Sequence, residues 1–155
     1  MTRTTSQDIA LLLLRFVGLY LALGHGLGKI VALTSGSGAG IVRMVDGLGF
    51  PAPALFAWAL ALAEFAGGLC VFVGLRTRVA AFFPAFAMLV AAFVNHGAMT
   101  RWLAWIGLSA ATPEEVRAAG NPELAILYAL SFATLVVLGG GRLSLDERLK
   151  GRRFR

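Results

Sequence analysis

The chain has 155 residues, of which 58% are hydrophobic and only 14% charged, with a formal net charge of +6. Soluble domains carry about a quarter charged residues, so a soluble enzyme is excluded and a single membrane domain over residues 1–155 is expected. In so apolar a chain, a basic balance reflects topology and anionic headgroups rather than nucleic acid, and the lone Cys70 leaves no internal disulfide and no paired-cysteine metal site.

A bilayer core needs roughly 20 apolar residues per helix. The first stretch to meet that length runs over residues 9–33. It is too long for a signal peptide, is interrupted by Arg15, and is followed by no small-x-small cleavage site. Residues 34–40 read TSGSGAG, a flexible break whose glycines lack the Gly-Lys-Ser/Thr of a phosphate loop. Pro51 and Pro53 then open a second span over 54–75. Arg76-Thr77-Arg78 makes a tight turn into a third span over 79–97. The connection from Ala98 to Pro122 has room for an amphipathic helix, with Trp102, Trp105 and Ile106 at the interface. Asn121-Pro122 ends it, and Glu123 suits the first turn of a fourth span over 124–140. The basic tail, residues 142–155, follows.

The expected fold is therefore all-α, an integral membrane four-helix bundle. Its two termini and the short turn share one side, which holds Arg3, Arg76, Arg78, Arg142, Arg148, Lys150, Arg152, Arg153 and Arg155, against Arg43, Arg101 and Arg117 on the other. That asymmetry predicts both termini in the cytoplasm, in a multi-pass protein of the bacterial inner membrane. The basic run from Arg148 to Arg155 is expected to be a simple topology determinant, with contact to anionic lipid as the alternative.

Ionisable residues inside spans are expensive and are functional candidates by default. Arg15, Gly18, Ala22, His25 and Lys29 fall within an arc of about 80° on an ideal helix, so the first span carries one polar, small-residue stripe. Glu64 lies about 15 Å into the second span, with Ala57, Ala61 and Gly68 on its face and Gly67 close by. Small residues let helices approach closely, so the two stripes are expected to meet. His25 and Lys29 are expected about 6 and about 12 Å outward of the midplane, and Arg15 about 9 Å inward. With His96 at the end of the third span, His25 and Lys29 outline a polar pocket in the outer half, with Glu64 as its floor. The plainer readings are that Glu64 is a counter-ion to Arg15 or Lys29, that Lys29 snorkels to the interface, that His96 is interfacial, and that Cys70 only packs.

The motifs resemble those of the DoxX family. Leu11 to Gly18 (LLLLRFVG) with Gly24 to Lys29 (GHGLGK) is similar to its first-span signature, and Ala63 to Gly68 (AEFAGG) with Gly74 to Arg78 (GLRTR) to its second-span motif. Asn121-Pro122-Glu123 and the ending Gly139 to Asp146 (GGGRLSLD) resemble its last segment. The resemblance marks Arg15, His25, Lys29, Glu64, Gly67, Gly68, Arg76, Arg78, Asn121, Pro122, Ser144 and Asp146 as motif positions. It implies a small bacterial four-helix membrane protein, related to the membrane subunit of thiosulfate:quinone oxidoreductase, with a role in sulfur or oxidative-stress redox chemistry beside a soluble partner protein.

The leading expectation is thus the membrane subunit of a quinone-linked oxidoreductase. Arg15, His25, Lys29, Glu64 and His96 would bind quinone, with Glu64 and His25 as the catalytic pair. The competing expectations are b-type haem held by His25 and His96, and a non-catalytic anchor, assembly subunit or small-solute carrier. The bilayer is the certain partner, a homo-oligomer is open, and nucleic acid is excluded.

Overall fold

The computed structural model describes residues 4–118 and 120–152, and every regular element among them is helical. In chain order these are α1 (Thr5–Thr34), α2 (Ala39–Gly47), α3 (Pro53–Val73), α4 (Thr77–Asn95), α5 (Ala98–Trp105), α6 (Pro113–Ala118), α7 (Glu123–Leu138) and α8 (Leu145–Arg152). Helices α1, α3 and α4 are long and apolar enough to cross a membrane. Helix α7 is equally apolar but has 16 residues, about 24 Å of rise. Arg3, Arg153, Arg155 and the side chain of Arg152, part of the basic count above, lie outside the described residues.

The helices close a ring in which α1 packs on α3, α3 on α4, α4 on α7 and α7 back on α1. The core between them holds Leu21, Val71, Met88, Phe132 and Leu135. The outward faces are just as apolar, with Leu13, Leu62, Phe86, Leu127 and Val137 each at least half exposed. A surface of that kind is stable only against lipid or another apolar partner.

The α1–α3 contact is built on glycine. A β-carbon at Gly18 would lie 2.5 Å from the Gly68 carbonyl oxygen, and one at Gly68 would lie 2.5 Å from the Gly18 carbonyl oxygen. The two backbones therefore touch, as small-residue stripes allow in membranes. On the far side of α3, Gly67 faces Ala80 and Pro84 of α4. Pro84 supplies no N–H to the Ala80 carbonyl, four residues back.

Helix α3 ends in Gly74, at φ 76°. The Leu75 N–H donates to the Cys70 carbonyl and the Gly74 N–H to the Val71 carbonyl, the paired bonds of a Schellman motif. The α3–α4 turn is locked from the other end of the chain. The Asp146 carboxylate accepts from the backbone N–H groups of Arg76 and Thr77 at 2.6 and 2.8 Å, and from the Thr77 hydroxyl at 2.8 Å. Asp146 thus caps α4 in trans. The buried Asp8 of α1 accepts from the Arg142 backbone N–H and from its Nε. Residues 4–15, 71–78 and 139–148 consequently meet at one end of the helix ring, here the terminal end.

Two segments differ from the sequence reading. Residues 34–40 were expected to be a flexible break, but the chain re-enters a helix at Ala39, and α2 lies against α3. The Ala98–Pro122 connection holds two short helices rather than one. The second opens with a reciprocal cap, in which Thr112 donates from N–H and hydroxyl to the Glu115 carboxylate while the Glu115 N–H donates back. The Thr112 backbone N–H, followed by its hydroxyl, holds the Glu115 carboxyl below the usual carboxylate range.

Substitution separates the glycines that touch from those that do not. Gly18→Ala puts a β-carbon against the α3 backbone, whereas Gly28→Ala meets nothing within 4 Å. Thermal unfolding in detergent should show Gly18→Ala destabilised by about 1–3 kcal/mol and Gly28→Ala neutral or stabilised by up to about 1 kcal/mol.

Candidate functional site

The polar residues of the spans divide between two ends. Arg15, expected from sequence about 9 Å inward of the midplane and among the quinone-binding residues, lies at the terminal end and outside the cavity. Its side chain is 3% exposed. The guanidinium donates to the carbonyls of Val71 and Phe72 through Nε at 3.1 and 3.0 Å, to Phe72 again through Nη2, and to Gly140 and Leu143 through Nη1 at 3.4 and 2.9 Å. Two of these acceptors, Val71 and Phe72, are last-turn carbonyls of α3 and form the negative end of its dipole, with Val71 also accepting from the Gly74 N–H. The physical reason for the reassignment is geometric. A planar fork of five N–H donors fits several converging carbonyls, and the α3 terminus supplies them one level away from Glu64.

The other end holds the candidate site, a cavity of about 250 Å³. It is lined by His25 and Lys29 from α1, Glu64 from α3, Asn95 and His96 at the end of α4, and Tyr128 from α7. Met44 and Leu48 close it from the α2 segment, and Asn121 reaches it from the loop before α7. Glu64 is 2% exposed. It pairs with the Lys29 ammonium, Nζ to Oε2 at 2.5 Å. Glu64 is thus bonded to Lys29 and not to Arg15, the other counter-ion considered from sequence. The His96 ring lies beside Gly120, where a β-carbon would come within 2.8 Å of Nδ1. Gly120 (φ 82°) is held by the Arg101 guanidinium through its carbonyl.

Two helices depart from α geometry at this level. Residues Ala22–Gly26 of α1 and Ala91–Asn95 of α4 form single π turns, closed by Leu27 N–H to the Ala22 carbonyl and His96 N–H to the Ala91 carbonyl. A π turn inserts one residue and retards the helical phase, and such turns recur at functional sites. Ideal geometry puts His25 on the buried stripe. In the structure Gly26 takes that place, 2.5 Å (as a β-carbon) from the Phe65 nitrogen. His25 is displaced to the exposed flank, its ring edge-on to Tyr128 with centroids 6.1 Å apart.

Four of the five residues read as ligand-binding, His25, Lys29, Glu64 and His96, therefore line one cavity, and Arg15 does not. Of the motif positions, Gly67 and Gly68 are helix contacts, Asn121 lines the cavity, and Pro122 is buried at the start of α7. Arg76 and Arg78 flank the α3–α4 turn at the terminal end. Tyr128 was missed from sequence. It stands six residues into α7, and an aromatic among apolar residues gives no signal of its own. Among the described residues, no group of three or more His, Cys, Asp or Glu side chains is placed to hold a metal ion.

Three helices long and apolar enough to cross a membrane, packed with α7 around a small cavity that polar side chains enter, define a helical membrane protein. The chain belongs to the DoxX family, whose model matches residues 10–97. The match takes in α1 to α4 and with them His25, Lys29, Glu64 and His96. Tyr128, Asn121 and the motif-like ending at Gly139 to Asp146 lie beyond it. No curated protein and no solved structure matches the chain.

The two ends should respond differently to mutation. Arg15→Lys removes the fork and leaves several buried carbonyls without donors, at about 1–3 kcal/mol for each unsatisfied group. His25→Ala, at an exposed position, should shift stability by less than about 1 kcal/mol. Thermal melts in one detergent compare them directly.

Proposed function

We propose that this DoxX-family protein crosses the bacterial cytoplasmic membrane four times, with both termini inside, and serves as the membrane subunit of a quinone-linked redox complex. In this reading α7 is the fourth span, its 16 residues extended by the Gly139–Gly140 segment. Nine Lys and Arg residues on the terminal side against three on the other support the orientation. The observation that carries the functional reading is the Lys29–Glu64 pair lining a small cavity with His25, His96 and Tyr128.

A quinone reduced by two electrons takes one proton at each carbonyl oxygen, and quinol oxidation returns both. Lys29 and His25 supply hydrogen-bond donors for the oxygens. Glu64, buried and in contact with Lys29, accepts or returns a proton. A cavity of about 250 Å³ suits a single-ring head, with the isoprenoid tail lying in lipid. In this reading electrons pass to or from a redox partner protein or a further cofactor.

A second reading takes the Lys29–Glu64 pair as purely structural, favoured by its short contact and by the burial of Glu64. The two readings separate in a quinone-reduction assay of the complex reconstituted from native membranes. Glu64→Gln keeps an acceptor for Lys29 but removes proton transfer, so turnover per folded protein should fall about 10²-fold or more, with the melting temperature lowered by loss of the ion pair. Turnover at the wild-type level in a folded Glu64→Gln protein would leave only the structural reading.

A further inference from the structure

The terminal end carries a second, larger concavity that the redox reading leaves unused. This groove, about 1110 Å³, runs between the α3–α4 turn, the Gly139–Gly141 backbone and α8. Four cations line it: Arg76, Arg78, Arg142 and Lys150. Two carboxylates also line it, but both are engaged. Asp146 accepts from the Arg76 and Thr77 N–H groups and the Thr77 hydroxyl, and Glu147 pairs with Lys150 at 3.4 Å. Arg142 contacts Asp8 through Nε and remains 57% exposed. Among the described residues, Arg76 and Arg78 form no ion pair.

The local backbone keeps these guanidinium groups at the groove. Arg76 sits at φ 44° as the residue before α4, fixed by the Asp146 cap. Arg78 lies over Gly139, where a β-carbon would stand 3.3 Å from Nε. Glycine at φ 74° leaves that space open. Below the cations the wall turns apolar, with Val79 and Leu138 60% and 44% exposed. These side chains continue into the lipid-facing surfaces of α4 and α7. The groove thus presents positive charge at one level and hydrocarbon at the next, the layering of an anionic phospholipid.

We propose that this groove binds the phosphodiester of an anionic phospholipid, with Arg76 and Arg78 as the principal phosphate donors and the acyl chains lying along Val79 and Leu138. Guanidinium forks match phosphate oxygens in two-point geometry. The site is independent of the cavity at the opposite end and of its redox reading.

The test uses the full-length protein in nanodiscs of phosphatidylcholine with a minor fraction of phosphatidylglycerol. Native mass spectrometry after detergent extraction reads retained lipid. Phosphatidylglycerol should be retained over phosphatidylcholine, with retention falling about five-fold for Arg78→Gln and further for Arg76→Gln/Arg78→Gln. Arg148→Gln removes one charge from the same helix outside the groove lining and should retain lipid as the wild type does. Arg78→Gln alone keeps the test open should the double variant not fold. Equal retention in a folded Arg78→Gln protein, or an equal loss in Arg148→Gln, would overturn the site. A parallel melt separates the sources of the phosphate. Stabilisation by phosphatidylglycerol but not by millimolar inorganic phosphate supports a lipid, and equal stabilisation by phosphate alone overturns the lipid assignment.

Discussion

The terminal end of this protein is organised by one buried cation. Arg15 stands in an apolar helix, where an unpaired charge and unpaired carbonyls are both costly. The structure answers both demands at once. The guanidinium fork takes the free carbonyls of α3 and of the 140–143 segment, and the negative end of the α3 dipole faces its charge. Once Arg15 is fixed, Gly18 is held against Gly68 one turn further along, and the α1–α3 contact follows. The Gly74 turn is drawn under Ser144, so that the C-terminal segment can deliver Asp146 to α4. A single side chain thus determines where α1, α3 and the chain after α7 meet.

The opposite end obeys another rule. There the backbone is relaxed by two π turns rather than tied down, and the polar groups face a cavity rather than carbonyls. Glu64 has one cation at hand, where Arg15 has several acceptors. A group with spare hydrogen-bonding capacity beside open space is available to a ligand, whereas a saturated group is not. Fixing one end so fully lets the other depart from helical geometry without loss of the overall packing.

The sequence made three membrane-length helices and the meeting of two small-residue stripes legible, because lipid forces backbone satisfaction and close packing shows in composition. Glu64, Gly68 and Ala61 read correctly as one face of α3, a regular helix. The phase of α1 beyond Ala22 was not legible, since periodicity assumes 3.6 residues per turn and a π turn breaks it without a residue signature. Gly26 therefore replaced His25 on the buried face. Helix α2 was hidden by the glycines that precede it. The trans contacts Asp8–Arg142 and Asp146–Thr77 join residues far apart in the chain, and only tertiary geometry reveals such pairs. Arg15 was recognised as expensive, but its acceptors are backbone carbonyls, which every sequence possesses and none displays.

The distribution of charge links the two ends. A lone buried carboxylate would abstract a proton or destabilise the fold, and a lone buried ammonium would do the converse. The Lys29–Glu64 pair keeps both groups available at the cavity with no net charge between them, so that end faces lipid and ligand as a near-neutral site. The terminal end carries more cations than carboxylates at its rim and hydrogen-bonds Arg15 to backbone carbonyls, with the Asp146 carboxylate adding to the field there. That division makes the molecule electrically polar from one end of the helix ring to the other. In the proposed reading, a neutral, lipid-soluble ring approaches the paired end without meeting a field that repels or traps it, while anionic headgroups collect at the other. The placement of charge, more than the number of spans, distinguishes this protein from a plain hydrophobic anchor.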